Sequence, residues 1–496
     1  MHYLIGHAIP DDAFYYFQVA RNVVHGHGVS ADGEVWANGF HPLWMLVLLP
    51  VYLLSGGQGD VPIHVALSAS ALTTSGSGVL LYLTGRRLGL SAPVSLISTA
   101  AYLFHPVLIF MSIDGLETGL NVSVFVALLY AFVVAYQRPT QASYALAAVL
   151  AGLLVLSRTD YAIVSVSILG TLLMHSWRLR SAAMVAAIFG AITGPWLLWN
   201  QIVFGSPFPV SASALPYIEH QIFDGGSALS GAGLWHSVVL VRQAALHTIP
   251  YFYFTPSRGT SWLAVAFVSA LALISGGSAV RDQRRERRTA VVLLAVPLAG
   301  IGVQLLVHAG VRWYVREWYF VPLFPLLALL LGLAIEICRE SRVGAVGGLA
   351  ICTIVLVGTA PTALRTFRDG WYPVQVDMRS AADWIATTTP AGTRVGGYNS
   401  GVVGYYSGRT TVNLDGVMNP DALQALRDRR MAAYITERKI DVLVDFPFYA
   451  VWLYQRFLGG DLNTRELTSF DDHATFQGSF TIYAVGAAGD AETGRR

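Results

Sequence analysis

Apolar runs long enough to cross a bilayer recur along this 496-residue chain, and no other feature restricts its fold so severely. A hydrocarbon core of about 30 Å takes about 20 apolar residues of helix. Backbone polar groups in lipid must be satisfied internally, which leaves helices or closed barrels as the spanning elements. Runs near 62–84, 93–112, 117–136, 141–158, 160–175, 182–203, 261–280, 289–309, 318–337 and 343–361 predict about ten helical spans. Composition agrees, with 54% hydrophobic and only 12% charged residues, against about 25% charged in soluble proteins. A net charge of +2 gives no basic field that would attract nucleic acid. Cys338 and Cys352 fall in or beside apolar runs, as small core residues do, and suggest no disulfide framework. Met1–Pro10 has neither the basic start nor the full apolar core of a cleavable signal.

The arginines set an orientation. Arg86–Arg87, Arg138, Arg178/Arg180, the Arg281–Arg288 run and Arg339/Arg342 occupy alternate loops, which the positive-inside rule makes cytoplasmic. Asp114–Glu117, Arg158–Asp160, the 204–260 loop, Arg312–Glu317 and the C-terminal tail then face outward. This alternation requires His41–Leu54 not to cross. Its unbroken apolar part is about a dozen residues, a length typical of interfacial segments, and Pro42 and Pro50 remove backbone donors. The chain thus divides into an external loop with an interfacial helix (1–61), a helical membrane domain (62–361) and a soluble α/β tail (362–496). Within the tail, Met378–Thr388 and Asp421–Arg438 read as helices. Arg394–Tyr398, Thr410–Leu414, Asp441–Phe446 and Phe480–Val485 read as strands.

Five polar groups stand at the outward ends. Asp11 and Asp12 precede the aromatic run Ala13–Phe17, where Asp11 either caps a helix or the pair lines a cavity, since adjacent helical residues point about 100° apart. His41, in Asn38-Gly39-Phe40-His41-Pro42-Leu43-Trp44, is either a headgroup-level anchor or a phosphate contact. Glu117 lies in the Asp114–Thr118 hairpin and Arg158 with Asp160 in Ser157–Asp160, each open to a purely solvating reading. Arg312 and Arg316 stand on an otherwise arginine-poor face, and the guanidinium fork suits phosphate oxygens. The basic run at 281–288 is read as a topology anchor. No phosphate-binding glycine loop, zinc spacing or nucleophile elbow is present.

These motifs resemble the GT-C superfamily of polytopic glycosyltransferases, which includes protein O-mannosyltransferases, aminoarabinose transferases and arabinofuranosyltransferases. PDDAFYYFQVARNVVHGHG, NGFHPLW, DGLETGL and LSRTD carry the resemblance, with weaker support from SPFP and SGVVGYYSGRTTVNLDG. It implies a polytopic helical GT-C-like bundle with a small extracytoplasmic C-terminal α/β domain. It also implies transfer from a polyprenyl-phosphate sugar to a glycan, glycolipid or protein acceptor on the outer face of the cytoplasmic membrane. By motif, Asp11 corresponds to the catalytic base and Asp12 to its acidic neighbour. The chain departs from the pattern in having Ala13–Phe14 after the pair and His41 before Pro42, where relatives often carry a cation. Relatives also have a membrane helix ahead of the pair, of which His2–Ile9 supplies only the end, so the expectation is that Met1 is an internal start or that the first helix has been lost, and detection of a longer native N-terminus would decide between them.

The expected chemistry is an inverting single displacement. Asp11 takes the acceptor proton, and Arg312, Arg316, Arg158 or His41 stabilises the departing lipid phosphate. Glu117 and Asp160 bind sugar hydroxyls or orient the arginines. No spacing demands a metal, although carboxylates on one face could recruit a divalent ion. The competing readings are a secondary transporter or lipid flippase, which would carry midplane charges and repeated halves, and a non-enzymatic assembly protein.

Overall fold

Helix ends, more than helix middles, show how this chain is arranged. The computed structural model describes residues 2–175, 178–222, 235, 238–239, 242, 285–311, 316–338, 360–361, 363–475 and 477–486. The expected spans near 261–280 and 343–361, Arg312, Cys352 and most of the 204–260 loop lie outside these residues. Before the tail come thirteen described helices of four or more residues that we label in order: α1 (His2–His7), α2 (Asp11–Val24), α3 (Pro42–Ser55), α4 (Val61–Arg87), α5 (Ala92–Leu103), α6 (Pro106–Met111), α7 (Thr118–Gln137), α8 (Gln141–Ser157), α9 (Ala162–His175), α10 (Leu179–Phe204), α11 (Ser211–Ile222), α12 (Arg285–Gly310) and α13 (Leu323–Cys338). Among the described residues, five helices are long and apolar enough to cross a membrane, beginning with Val61–Arg87 and ending with Glu317–Ile337.

One expected span is broken. The run 93–112 forms α5 and α6 instead, because Pro106 forces His105 into an extended backbone (φ −64°, ψ 118°). Elsewhere small residues let helices close on each other. Gly119 of α7 leaves no room for a Cβ against Ser70 and Thr74 of α4.

The two ends of the bundle differ in chemistry. At one end Arg87 of α4 bonds Gln137 of α7, and Gln141 of α8 bonds Ser181 of α10. At the other end, the start of α4, the start of α7, the end of α8 and the ends of α10 and α12 gather around α2. Both ends of α3 lie on this second side. His41 approaches Glu117, and Gly59 and Asp60, just past its C-terminus, bond Tyr405 and Tyr406 of the tail. Helix α3 therefore turns back to the side it started from.

The tail is an α/β unit. It comprises α14 (Gln375–Thr388), β1 (Arg394–Gly397), α15 (Gly401–Tyr406), β2 (Thr410–Asn413), α16 (Pro420–Arg427), α17 (Met431–Glu437), β3 (Val442–Asp445), β4 (Thr464–Thr475) and β5 (Gly478–Val485). Strand order is β2-β1-β3-β5-β4, parallel across β2, β1 and β3 and antiparallel beyond. The single helix expected over Asp421–Arg438 is two helices. Arg429 takes a left-handed backbone (φ 52°), and the Arg430 N–H reaches back to the Ala425 carbonyl, a helix-terminating turn. Strand β4 is an addition to the sequence reading.

Ionic contacts dock the tail. Arg394 meets Glu34 at 2.6 Å, while Arg438 meets Asp32 at 2.9 Å and Glu34 at 2.7 Å. Trp371 and Tyr372 N–H groups donate to the His7 and Gly6 carbonyls of α1. Gly39 passes so close to the Val417 carbonyl that a side chain there would collide with it. The 1–61 region thus packs on both the bundle and the tail.

Candidate active site

The acidic pair opens α2, and its two members have different surroundings. Pro10 holds the N-cap position, and no side chain caps this helix. Asp11 is buried and turns to another helix. Its two carboxylate oxygens accept the N–H groups of Gly401 (3.0 Å) and Val402 (2.7 Å) at the start of α15. Gly401 is required for this approach, since a Cβ would run into the Asp11 carbonyl. Burial pushes the Asp11 carboxyl up to about 6, against those two amides, which pull it down. Asp12, about 100° round the helix, is the exposed member. It stands in a recess whose walls raise its carboxyl, an effect opposed by Arg316 and reinforced by Glu117 and Glu317.

Beside Asp12 runs a chain of paired charges. Glu117 occupies the N-cap of α7 but makes no capping bond. Its carboxylate instead accepts the Tyr16 hydroxyl (2.8 Å) and the Arg158 Nη1–H (2.7 Å). Arg158, 3% exposed, then reaches Asp160 through Nε and Nη2, both at 3.3 Å, and its guanidinium lies 4.0 Å from the centre of the Tyr319 ring. Asp160 also accepts from Gln304 Nε2 (3.1 Å) and stands 3.7 Å from His308 Nε2. His41 Nε2 is 3.7 Å from Glu117, and the His41 N–H donates to the Tyr16 hydroxyl. Among the described residues, His41 Nδ1, Gln304 Oε1 and Glu317 Oε2 are buried atoms with no hydrogen-bond partner. Such atoms are uncommon in folded proteins and call for an explanation.

The tail closes the remaining side. Tyr15 of α2 receives the Ser400 N–H (3.1 Å) and the Asn413 Nδ2–H (3.1 Å) on its hydroxyl oxygen. These residues follow or end β1 and β2, so α2 lies outside the carboxyl ends of the parallel strands, where such sheets ordinarily bind ligands. Asp445, at the end of β3, accepts from the Tyr398, Asn399 and Phe446 N–H groups and from the Asn399 side chain. Burial pushes it up to about 7. Half-buried Asp415, after β2, is pushed up to about 8, chiefly by burial and with the charge of Asp12 contributing.

The structure therefore brings Asp12, His41, Glu117, Arg158, Asp160 and Arg316 to one end of the bundle, with Asp11 directed into the tail. Arg312 lies outside the described residues. Sequence reasoning missed Tyr16, Gln304, His308 and Asp415. Gln304 and His308 did leave a signal, two polar residues four apart and so on one face of an apolar helix. Among the described residues, no group of three or more His, Cys, Asp or Glu side chains is placed to hold a metal ion.

No curated protein is matched by sequence. A family described as a domain of unknown function (DUF8728) matches residues 368–488, which is the tail. In structure the chain is similar to ArnT from Cupriavidus metallidurans bound to undecaprenyl phosphate, with a TM-score of 0.58 at 14% identity over 97% of this chain and 95% of that one. It is also similar to the Archaeoglobus fulgidus oligosaccharyltransferase in its apo form, with a TM-score of 0.57 at 14% identity over 97% of this chain and 71% of that one. A third similar structure is AglB from the same organism in complex with an inhibitory peptide and a dolichol-phosphate, with a TM-score of 0.52 at 13% identity over 97% and 71%. The protein has a GT-C-like fold, a polytopic helical bundle with a C-terminal α/β domain.

Proposed function

We propose that the protein is a membrane glycosyltransferase. It moves a sugar from a polyprenyl-phosphate donor to an acceptor hydroxyl on the outer face of the cytoplasmic membrane. The observation that carries this reading is the gathering of Asp12, Glu117, Asp160, Arg158 and Arg316 at one end of a GT-C-like bundle, beside unsatisfied buried polar atoms. Structural neighbours captured with undecaprenyl phosphate and dolichol-phosphate support the class of donor. The division at 1–61, 62–361 and 362–496 belongs to this proposal. The match of a family to 368–488 and the return of α3 to its starting side support it.

In the reaction, the acceptor oxygen forms a bond to the anomeric carbon as the carbon–phosphate oxygen bond breaks, with inversion. The acceptor proton goes to a carboxylate. We assign that role to Asp12 in preference to Asp11, because both Asp11 oxygens already accept backbone amides while Asp12 faces solvent. The departing phosphate needs positive charge and no separate acid. Arg316 is assigned to it, with Arg312 as a second candidate. Arg158 is instead a positioning residue that holds Glu117 and Asp160, which then address sugar hydroxyls together with His41.

The test is transfer from polyprenyl-phosphate sugars by purified protein in lipid. Asp12→Asn should lose about 100-fold or more in turnover, the contribution of a positioned base, and Asp11→Asn should lose far less. The reverse order would return the base to Asp11. Solute flux with no transfer would favour a transporter.

A further inference from the structure

A second concave feature lies on the tail, away from the acidic pair. An open surface depression of about 560 Å³ is lined by Gln221, Arg429, Trp452, Gln455 and Arg456. Its floor is built by contacts between α11 and the tail. Arg456 Nη1 donates to the Gln221 carbonyl (2.6 Å), and Arg429 Nη2 lies 3.4 Å from Gln221 Oε1. The same seam is held by the Tyr217 hydroxyl, which donates to the Leu426 carbonyl at 3.3 Å.

Two observations point to a ligand. First, among the described residues neither guanidinium has a carboxylate within ion-pair distance, although each keeps N–H donors unused by Gln221. Second, Trp452 is 58% exposed at the rim, on a π-helical turn over Phe448–Leu453. Turns of that kind are rare and frequent at functional sites. Arg429 itself is the left-handed residue (φ 52°) of the turn that follows α16. Its carbonyl is packed against Gly459 so tightly that a Cβ on that glycine would overlap it, which fixes where the Arg429 side chain leaves the backbone.

The chemistry of this lining is specific. Guanidinium forks match the oxygens of carboxylate or phosphate groups. Glutamine amides offer both donor and acceptor atoms to hydroxyls. An exposed indole offers a flat apolar face to the C–H face of a sugar ring. We propose that this depression binds an anionic saccharide, the acceptor glycan of the transfer reaction. Arg429 and Arg456 take its acidic groups, Trp452 lies against a ring, and Gln455 meets hydroxyls. Naming the ligand as acceptor rests on the glycosyltransferase reading, whereas the binding itself does not. An anionic lipid headgroup would also suit arginine beside tryptophan, but the concave shape and the two amides favour a saccharide.

The experiment is calorimetric titration of the full chain, in nanodiscs of neutral lipid, with oligogalacturonate, a phosphorylated mannan fragment and neutral malto-oligosaccharide. At least one anionic probe should bind saturably, with the neutral one about tenfold weaker or worse. Arg456→Gln and Trp452→Ala should each weaken that binding about tenfold. Arg429→Gly should do the same while keeping the thermal midpoint, because glycine tolerates the positive φ. Asp12→Asn should bind as the parent does. Absence of saturable binding by both anionic probes overturns the proposal, as does binding that survives all three substitutions in the depression. So does capture of phosphatidylglycerol vesicles that the same substitutions abolish while neither anionic saccharide binds. Saccharide binding without transfer to that saccharide would remove only its acceptor role, and transfer without binding would leave the glycosyltransferase reading standing alone.

Discussion

Arg158→Met keeps most of the side-chain volume and removes a cation that pairs with both Glu117 and Asp160. The Arg158 nitrogens stand 2.7 Å from a Glu117 oxygen and 3.3 Å from an Asp160 oxygen. At an effective dielectric of about 20, each pairing corresponds to about 5–6 kcal/mol of Coulomb attraction before desolvation is subtracted. Desolvation costs several kcal/mol per ion and removes most of that gain. Withdrawing the arginine, however, leaves two enclosed carboxylates facing each other, and breaking a buried pair in this way costs about 3–5 kcal/mol. Arg158→Met should therefore lower unfolding stability by about that amount in detergent, followed by tryptophan fluorescence against denaturant. Glu117→Gln should cost less, because glutamine still offers an acceptor to Arg158 and Tyr16. The double variant should fall short of the sum by about 1 kcal/mol or more, since contacting charges are not additive. The Arg158→Met deficit should also shrink as pH falls and the stranded carboxylates take up protons. A variant within about 1 kcal/mol of the parent, at every pH, would refute the positioning role and return Arg158 to the pool of phosphate ligands.

Other consequences concern the junction of α2 with the tail. Burial pushes Asp11, Asp415 and Asp445 up to about 6, 8 and 7 from an ordinary 3.8. Between 3.8 and those values these groups hold protons in the folded chain that the unfolded chain has released, so their contribution to stability is greatest below 3.8 and is lost as pH rises through about 6 to 8. Asp11→Asn should flatten the lower part of that decline, as denaturant midpoints measured across the range will show. Gly401→Ala forces a methyl against the Asp11 carbonyl, which should cost about 1–3 kcal/mol and speed proteolysis of the tail. Arg316→Gln should weaken dependence on the lipid-phosphate donor by about tenfold, the value of one charge-assisted contact. An unchanged donor titration would reject Arg316 as a phosphate ligand.

Much of the fold was legible because bilayer length and helical period leave a strong trace. The apolar runs at 62–84, 117–136 and 182–203 reappear as α4, α7 and α10 with ends shifted by a few residues. The tail strands at 394, 410 and 442 were readable between turn residues, the last two from their β-branched residues. Strand β4 was not, because Thr464–Thr475 is a mostly exposed edge whose polar side chains show no alternation. It is held by pairing with β5, a nonlocal fact. The motifs quoted from sequence did converge, yet the sequence could not say which member of the acidic pair faced the cavity. That distinction depends on Gly401 and Val402, some 390 residues away in the chain. The dual pairing of Arg158 was hidden for the same reason, since adjacency to Asp160 was visible while Glu117 comes from another helix.

The central claim is that Asp12 serves a sugar-transfer site fed by lipid phosphate. It is tested most directly by reconstituting the protein in liposomes with lipid-linked sugars extracted from the source membrane and measuring free polyprenyl phosphate by mass spectrometry. The account predicts acceptor-dependent release that Asp12→Asn reduces about 100-fold or more and Asp11→Asn largely preserves. Release at parental rates from Asp12→Asn, or none from the parent chain across the whole extract, would contradict it.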